Sequence, residues 1–439
     1  MSEYSHLFPD GERVEPVFSA LRRVVVLDDD RFSRQVMHAM FARLGVGQVD
    51  EIDDPRQLLD HLSRAATVTD LLLLDLRMPS VDGVTLLRPL AEMGYGGGVI
   101  VFSGAGQDVL DMALRLGKSF GLNMLGALEK PPRAEALLRL LQKLELAPRR
   151  ASPLKVVGRC ASASREGSAL REAIGAGQMR CVYQPKVRLR EPSLVGAEAL
   201  VRWHHPTHGI IPPSQFVTLA EQIGLIGELT RVVVEQAVAQ GARWRVGGRD
   251  FVMSINVSAL NLCEGGFVDW LVSYVQAEGV SPAWICLEVT ESQVGGDLLQ
   301  VAESLTRLRL HGFRLSIDDF GSGYSSMCKL RDIVFDELKI DRGFVHGAAT
   351  DPRRAAVFRA SVQVARDLGI EVVAEGIEDH VDWNFSLDNG VSVGQGYFIS
   401  RPLAPDAFEA WWSDWMQRTE LRLPAPGGFC APPTTRSVA

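Results

Sequence analysis

Apolar residues follow two alternating rhythms along this chain. Short uninterrupted hydrophobic runs, such as Val24-Val25-Val26-Leu27 and Leu71-Leu72-Leu73-Leu74, read as strands covered on both faces. Between them lie longer stretches with apolar residues at helical spacing. The first part predicts strands at 21–27, 46–52, 70–75, 98–103 and 125–129 with amphipathic helices in the gaps, the signature of an open, doubly wound α/β sheet. Residues 1–20 are polar and irregular. The stretch APRRASPLKVVGRCASASREG, 147–167, loses both rhythms and reads as a linker.

The alternation then resumes. A helix near Ser168–Ile174 precedes strand candidates at 181–187, 194–202, 251–258, 285–291, 314–319, 337–341, 371–376 and 393–399. Helical patterns at 215–223, 229–244, 267–278 and 355–368 separate many of them, as in a (β/α) barrel of roughly 250 residues. The expected organisation is therefore an N-terminal extension (1–20), an α/β domain (21–146), a linker (147–167), a barrel (168–415) and a disordered Pro/Gly-rich tail (416–439).

Composition narrows the chemistry. A chain of 439 residues exceeds what one core supports, and its 46% hydrophobic and 23% charged content is that of a soluble globular protein. A net charge of −8, with no Lys/Arg-rich run and no recognition helix with a basic flank, argues against DNA binding. No signal segment and no apolar run of about 18 residues is present, so a cytoplasmic location without membrane insertion is expected. The six cysteines, at 160, 181, 263, 286, 328 and 430, form no CxxC pair and read as reduced and structural.

Six carboxylates, Glu198, Glu288, Asp318, Asp319, Glu375 and Glu378, fall near the ends of apolar segments in the barrel half, with Asn256 placed among them in the same way. Taking an unpaired carboxylate out of water costs several kcal/mol or more, roughly, unless a counter-charge compensates it. For a single acid at a strand end, a helix cap or a surface salt bridge is the commoner explanation. For the whole set, a divalent-metal site is the better one, and Asp318-Asp319 followed by Gly321 and Gly323 strengthens it. In the first half, Asp28 and Asp29 end one strand, Asp75 a second and Ser103 a third, and Lys130 follows a fourth. Two acids can hold Mg²⁺, a third carboxylate can attack a phosphoryl group, and a lysine and a hydroxyl can stabilise the oxygens.

Residues 21–146, through DLRMPSVDG and EKP, resemble a response-regulator receiver domain. The resemblance implies a flavodoxin-like fold, Asp75 as the phosphorylated residue, Asp28 and Asp29 as Mg²⁺ ligands, Ser103 as the hydroxyl that follows the phosphoryl group, Lys130 as its ion-pair partner, and a cognate sensor histidine kinase. The chain departs from the family at Ala127, where receivers often carry an aromatic switch residue.

Residues 168–412 resemble the EAL family of cyclic di-GMP phosphodiesterases through VYQPKV, GAEALVRW, SINVS, LEVTES, IDDFGSGYSS, ELKID, VAEGIE and QGYFISRPL. The family implies a modified (β/α)8, TIM-type barrel and hydrolysis of cyclic di-GMP to linear pGpG with two Mg²⁺ or Mn²⁺ ions. Position by position, it makes Glu198, Asn256, Glu288 and Asp318 ligands of one metal, and Asp318 with Asp319 and Glu375 the holders of a second. Lys339 and Gln395 would attend the attacking water, Gln184 and Arg202 would touch substrate, and Glu291 would anchor the loop Asp319–Ser326. Glu378, beyond the strand end, suits a supporting role. His204, His205 and His208 are assigned no metal. Family members tend to dimerise through the barrel, so a homo-oligomer is expected. A catalytically silent cyclic di-GMP receptor or interaction module is the alternative, and no GGDEF-like stretch predicts synthesis of the nucleotide.

Overall fold

The computed structural model describes residues 21–64, 69–79, 81–144, 165–245, 251–290, 298–321, 330 and 333–420, and it divides into two compact units. The first unit is a parallel five-stranded sheet, β1 (Arg23–Leu27), β2 (Gln48–Ile52), β3 (Leu71–Leu74), β4 (Gly98–Ser103) and β5 (Asn123–Glu129), ordered β2-β1-β3-β4-β5.

Strand periodicity explains why these runs are apolar throughout. Val24 and Val26 of β1 join Met37, Phe41, Leu137 and Leu141 on one face, whereas Val25 and Leu27 join Leu58, Leu87, Leu110 and Ala113 on the other. Strand order reverses about β1, between β2 and β3, which opens the crevice where Asp28 and Asp75 lie. The triplet Asp28-Asp29-Asp30 divides its work. Asp30 caps the helix Arg31–Arg43 by accepting from the Phe32 and Ser33 amides, leaving Asp28 buried and Asp29 exposed.

The second unit is a closed barrel. Its strands are β6 (Met179–Arg188), β7 (Leu194–His205), β8 (Gly209–Ile211), β9 (Val252–Asn256), β10 (Ile285–Thr290), β11 (Arg314–Phe320), β12 (Glu337–Ile340), β13 (Glu371–Ala374) and β14 (Val393–Gly394). The order β6-β14-β13-β12-β11-β10-β9-β7 closes through a β6–β7 pairing, with β8 attached to β7 as a hairpin partner. The ring is parallel except at β6, which runs antiparallel to both neighbours, so the barrel is a modified (β/α)8. The helix expected near Ser168 spans Arg165–Gly175, and β14 covers only two residues of the stretch expected over 393–399. The last helix, Pro405–Glu420, extends into the segment expected as a disordered tail, because Phe408 and Trp412 pack with Trp244 and Phe251.

Two backbone features place the site. Gly196 faces Val252 across β7 and β9, and a Cβ there would overlap the Val252 carbonyl, so only glycine lets these strands approach beside Glu198. In β11 the register shifts between Ile317 and Phe320, and Asp319 takes a left-handed conformation, φ 56°. Gly196→Ala is expected to destabilise the barrel by about 1–3 kcal/mol through overpacking. Urea denaturation checks this, and an unchanged midpoint would contradict the close approach.

Candidate active site

Alternation along a regular strand would send Asp318 and Asp319 to opposite faces. The irregularity in β11 undoes that. Carboxylate oxygens of Asp318, Asp319 and Glu375 come within 4.8 Å of one another at the C-terminal mouth of the barrel. Register brings the rest: Glu288 pairs with Asn256, Thr290 with Asp318, and Gln184 with Glu198.

Lys339 stands at the centre, 1% exposed. Its Nζ lies 2.6 Å from Glu288 Oε2, 2.6 Å from Glu375 Oε1, 3.2 Å from Asp318 Oδ1 and 3.4 Å from Glu198 Oε2. Asn256 donates to Glu198 Oε1 at 2.7 Å, and Gln395 donates to Glu198 Oε2 at 2.7 Å and to Gln184 Oε1 at 3.0 Å. Gln184 in turn donates to the Ser400 carbonyl. Burial and mutual repulsion shape the charges. Burial raises the carboxyl groups of Glu198, Asp318, Asp319 and Glu375, and neighbouring acids add to this. Burial would raise Glu288 too, but Lys186 and Lys339 hold it down to about 2. Lys339 keeps its proton because the surrounding carboxylates outweigh the effect of burial.

The donor set fits a hard divalent cation. Every candidate ligand offers oxygen, the acids outnumber the lysines, and the buried Oε1 of Gln395 has no partner among the described residues. Two hollows meet there, sharing Glu198, Leu200 and Asp318. One, of about 230 Å³, is bounded by Gln184, Lys339, Arg342, Glu375 and Tyr397; the other, of about 490 Å³, runs between Asn256, Asp319 and the apolar side chains of Val217, Leu229 and Val233.

Other expected residues lie at varied distances from this centre. Arg202 is half-buried, makes no ion pair among the described residues, and donates only to the Val201 carbonyl. Glu378 pairs with Arg342 at 2.5 Å, and its amide donates to Asp382. His205 packs its ring on His208 and accepts from the Thr207 and His208 amides. Glu291 and residues 322–326 of the loop lie outside the described residues. Sequence reasoning passed over Lys186, Glu337 and Tyr397. A lysine inside the apolar β6 carries the same burial cost that singled out the acids, and that argument applied to cations would have found it.

In the first unit, Lys130 Nζ lies 2.6 Å from both Asp28 Oδ2 and Asp75 Oδ2, and oxygens of Asp28, Asp29 and Asp75 lie within 4.8 Å of one another. Burial raises Asp28, partly offset by Lys130. Ser103 is buried at the end of β4, its Oγ accepting from the Ala105 amide. Ala127 follows a bulge in β5, where Gly126 has a positive φ.

The fold and sites define a class: an α/β domain with an acid-lysine pocket at its switch point, joined in one chain to an acid-lined barrel. Residues 168–402 match the EAL domain family and residues 24–142 the response regulator receiver domain. The chain belongs to the EAL domain family and carries a receiver domain. It is 31% identical over 385 residues to the cyclic di-GMP phosphodiesterase RocR of Pseudomonas aeruginosa, covering 88% of this chain and 97% of RocR. It is 39% identical over 240 residues to the uncharacterized protein Rv1354c of Mycobacterium tuberculosis, spanning 54% of this chain but only 38% of that relative's length. The solved PaMucR phosphodiesterase complex with c-di-GMP matches with a TM-score of 0.53 at 38% identity, over 55% of this chain and 98% of that one.

Burial and mutual repulsion make these carboxyl groups bind protons more readily than free ones, and a cation competes with those protons. Divalent-cation binding to the barrel is therefore expected to release protons and to tighten as pH rises. Calorimetry in two buffers of different ionisation enthalpy measures this; no proton release with a flat affinity would contradict it.

Proposed function

We propose that the barrel hydrolyses one phosphodiester linkage of cyclic di-GMP to linear pGpG, and that phosphorylation of Asp75 sets the rate. The observation that carries this reading is the ring of buried carboxylates around Lys339, placed where two hollows meet. A phosphodiester held there has room for a nucleobase on either side. The kinship to RocR, over nearly all of RocR's length, supports the same reading.

Two divalent cations, Mg²⁺ or Mn²⁺, supply when bound the charge that acidifies the attacking water and neutralises the phosphodiester. Glu198, Asn256, Glu288 and Asp318 would hold one, and Asp318, Asp319 and Glu375 the other. The remaining side chains orient and shield. Lys339 offers an ammonium to the phosphoryl oxygens or to the water beside them, and Gln395 turns its unpartnered carbonyl toward the same space. Arg202, which makes no ion pair among the described residues, would form a charge-assisted contact to the substrate. Tyr397, 53% exposed with Arg401 4.4 Å from its ring, offers a face on which a base can stack. Water adds across one P–O3′ bond. The phosphorus keeps its 5′ ester and gains a hydroxyl oxygen, and the freed 3′ oxygen takes the proton.

In the receiver, Asp75 would attack the phosphoryl group supplied by a sensor histidine kinase, with Asp28 and Asp29 holding Mg²⁺ and Lys130 balancing the added charge. No helix among the described residues is long and apolar enough to cross a membrane.

Purified chain with cyclic di-GMP and Mg²⁺ is expected to yield pGpG, and Glu198→Ala to reduce turnover by more than the roughly 10–100-fold that losing a ligand's outer partner costs. No product from the unaltered protein, or equal turnover from the variant, would overturn the assignment. Beryllofluoride is expected to change turnover in the unaltered chain and not in Asp75→Asn. Identical rates in all four samples would refute receiver control.

A further inference from the structure

The proposed chemistry makes no use of the second buried lysine of the barrel. Lys186 lies in β6, 3% exposed, beneath the carboxylate ring. Its Nζ donates to Ser254 Oγ at 2.7 Å, Glu288 Oε1 at 2.8 Å and Glu337 Oε1 at 2.8 Å. An ammonium has three protons, and all three are committed. Glu337 Oε1 also accepts from Ser316 Oγ at 2.9 Å. Lys186, Ser254, Glu288, Ser316 and Glu337 thus form a polar layer contributed by β6, β9, β10, β11 and β12, every member 6% exposed or less. Bulky aliphatic side chains ordinarily fill such a layer. Burying two charges where packing would serve is expensive, so the layer calls for a reason beyond stability.

Glu288 supplies one. Its two oxygens are divided: Oε1 belongs to Lys186 below and Oε2 to Lys339 above. The lower bond fixes the carboxylate in one rotamer with Oε2 directed toward the mouth. We propose that Lys186, seated by Glu337 and Ser254, is a positioning residue that presents Glu288 to the cation through a single oxygen. This rests on the reading of Glu288 as a metal ligand. Lys186 and Glu337 carry opposite charges, so as a pair they leave the net charge of the site unchanged while fixing its geometry.

That neutrality supplies the test. Lys186→Met alone removes a positive charge, which by Coulomb attraction favours a cation while the loss of positioning disfavours it. In Lys186→Met/Glu337→Gln the charge changes cancel and positioning alone is read. Mn²⁺ titration of the full chain without substrate, followed by electron paramagnetic resonance, is expected to show barrel affinity about 10–100-fold weaker in the double variant, the usual scale for loss of a ligand's hydrogen-bond partner. Ser254→Ala, a milder change, is expected to weaken binding in the same direction by a few-fold, and it carries the test if the double variant does not fold. Thermal unfolding in parallel separates positioning from stability, since a structural role alone would lower the melting temperature and leave affinity intact. Unaltered Mn²⁺ affinity in a folded double variant, or in Ser254→Ala where the double variant fails to fold, would overturn this inference and leave the metal-site reading standing. Failure of the unaltered barrel to bind Mn²⁺ would overturn both.

Discussion

Four carboxylates around one buried ammonium set the terms for the rest of the barrel. Lys339 lies within 3.4 Å of Glu198, Glu288, Asp318 and Glu375, yet one positive charge cannot balance four negative ones. Burial first, and then the imbalance, raises the carboxyl groups of Glu198, Asp318 and Glu375. The left-handed Asp319, the register shift in β11 and the close approach at Gly196 are local departures from regular strand geometry. Each helps to gather like charges at one mouth. An arrangement that stores repulsion in a folded core is useful when a ligand relieves it.

The receiver unit uses the same arrangement at smaller scale. Parallel strands end in acids, a later strand ends in a lysine, and the ammonium lies between two carboxylates, 2.6 Å from each. The reason is topological in both units. Parallel strands deliver their C-terminal ends to one edge, so residues far apart in sequence converge without long loops. Lys130 and Lys339 act alike in standing between acids and partly offsetting their mutual repulsion.

Much of this was legible in the sequence, and the reasons for success and failure are physical. Fully apolar strands such as Leu71–Leu74 announced parallel sheets, because burial on both faces leaves no polar alternation. Acids at strand ends announced the sites, because their burial is costly enough to need a cause. What escaped was tertiary. The antiparallel β6 follows from the five-residue link to β7, too short for a parallel crossover, whereas its pairing with β14 is tertiary. The length of the last helix was hidden because the aromatic residues that hold it, Phe251 and Trp244, are far upstream. Lys186 was hidden by attention to acids alone, although a cation in an apolar strand carries the same cost. Ala127 as a departure was readable, whereas the bulge at Gly126 beside it appears only in the register of β4 with β5.

The central claim is that the barrel's carboxylates form a cation site, and its most direct test counts cations. In a chain carrying Asp28→Asn to silence the receiver, Mn²⁺ titration is predicted to saturate at two ions per barrel, with magnetic coupling between them. Saturation with no Mn²⁺ in the barrel would contradict the account.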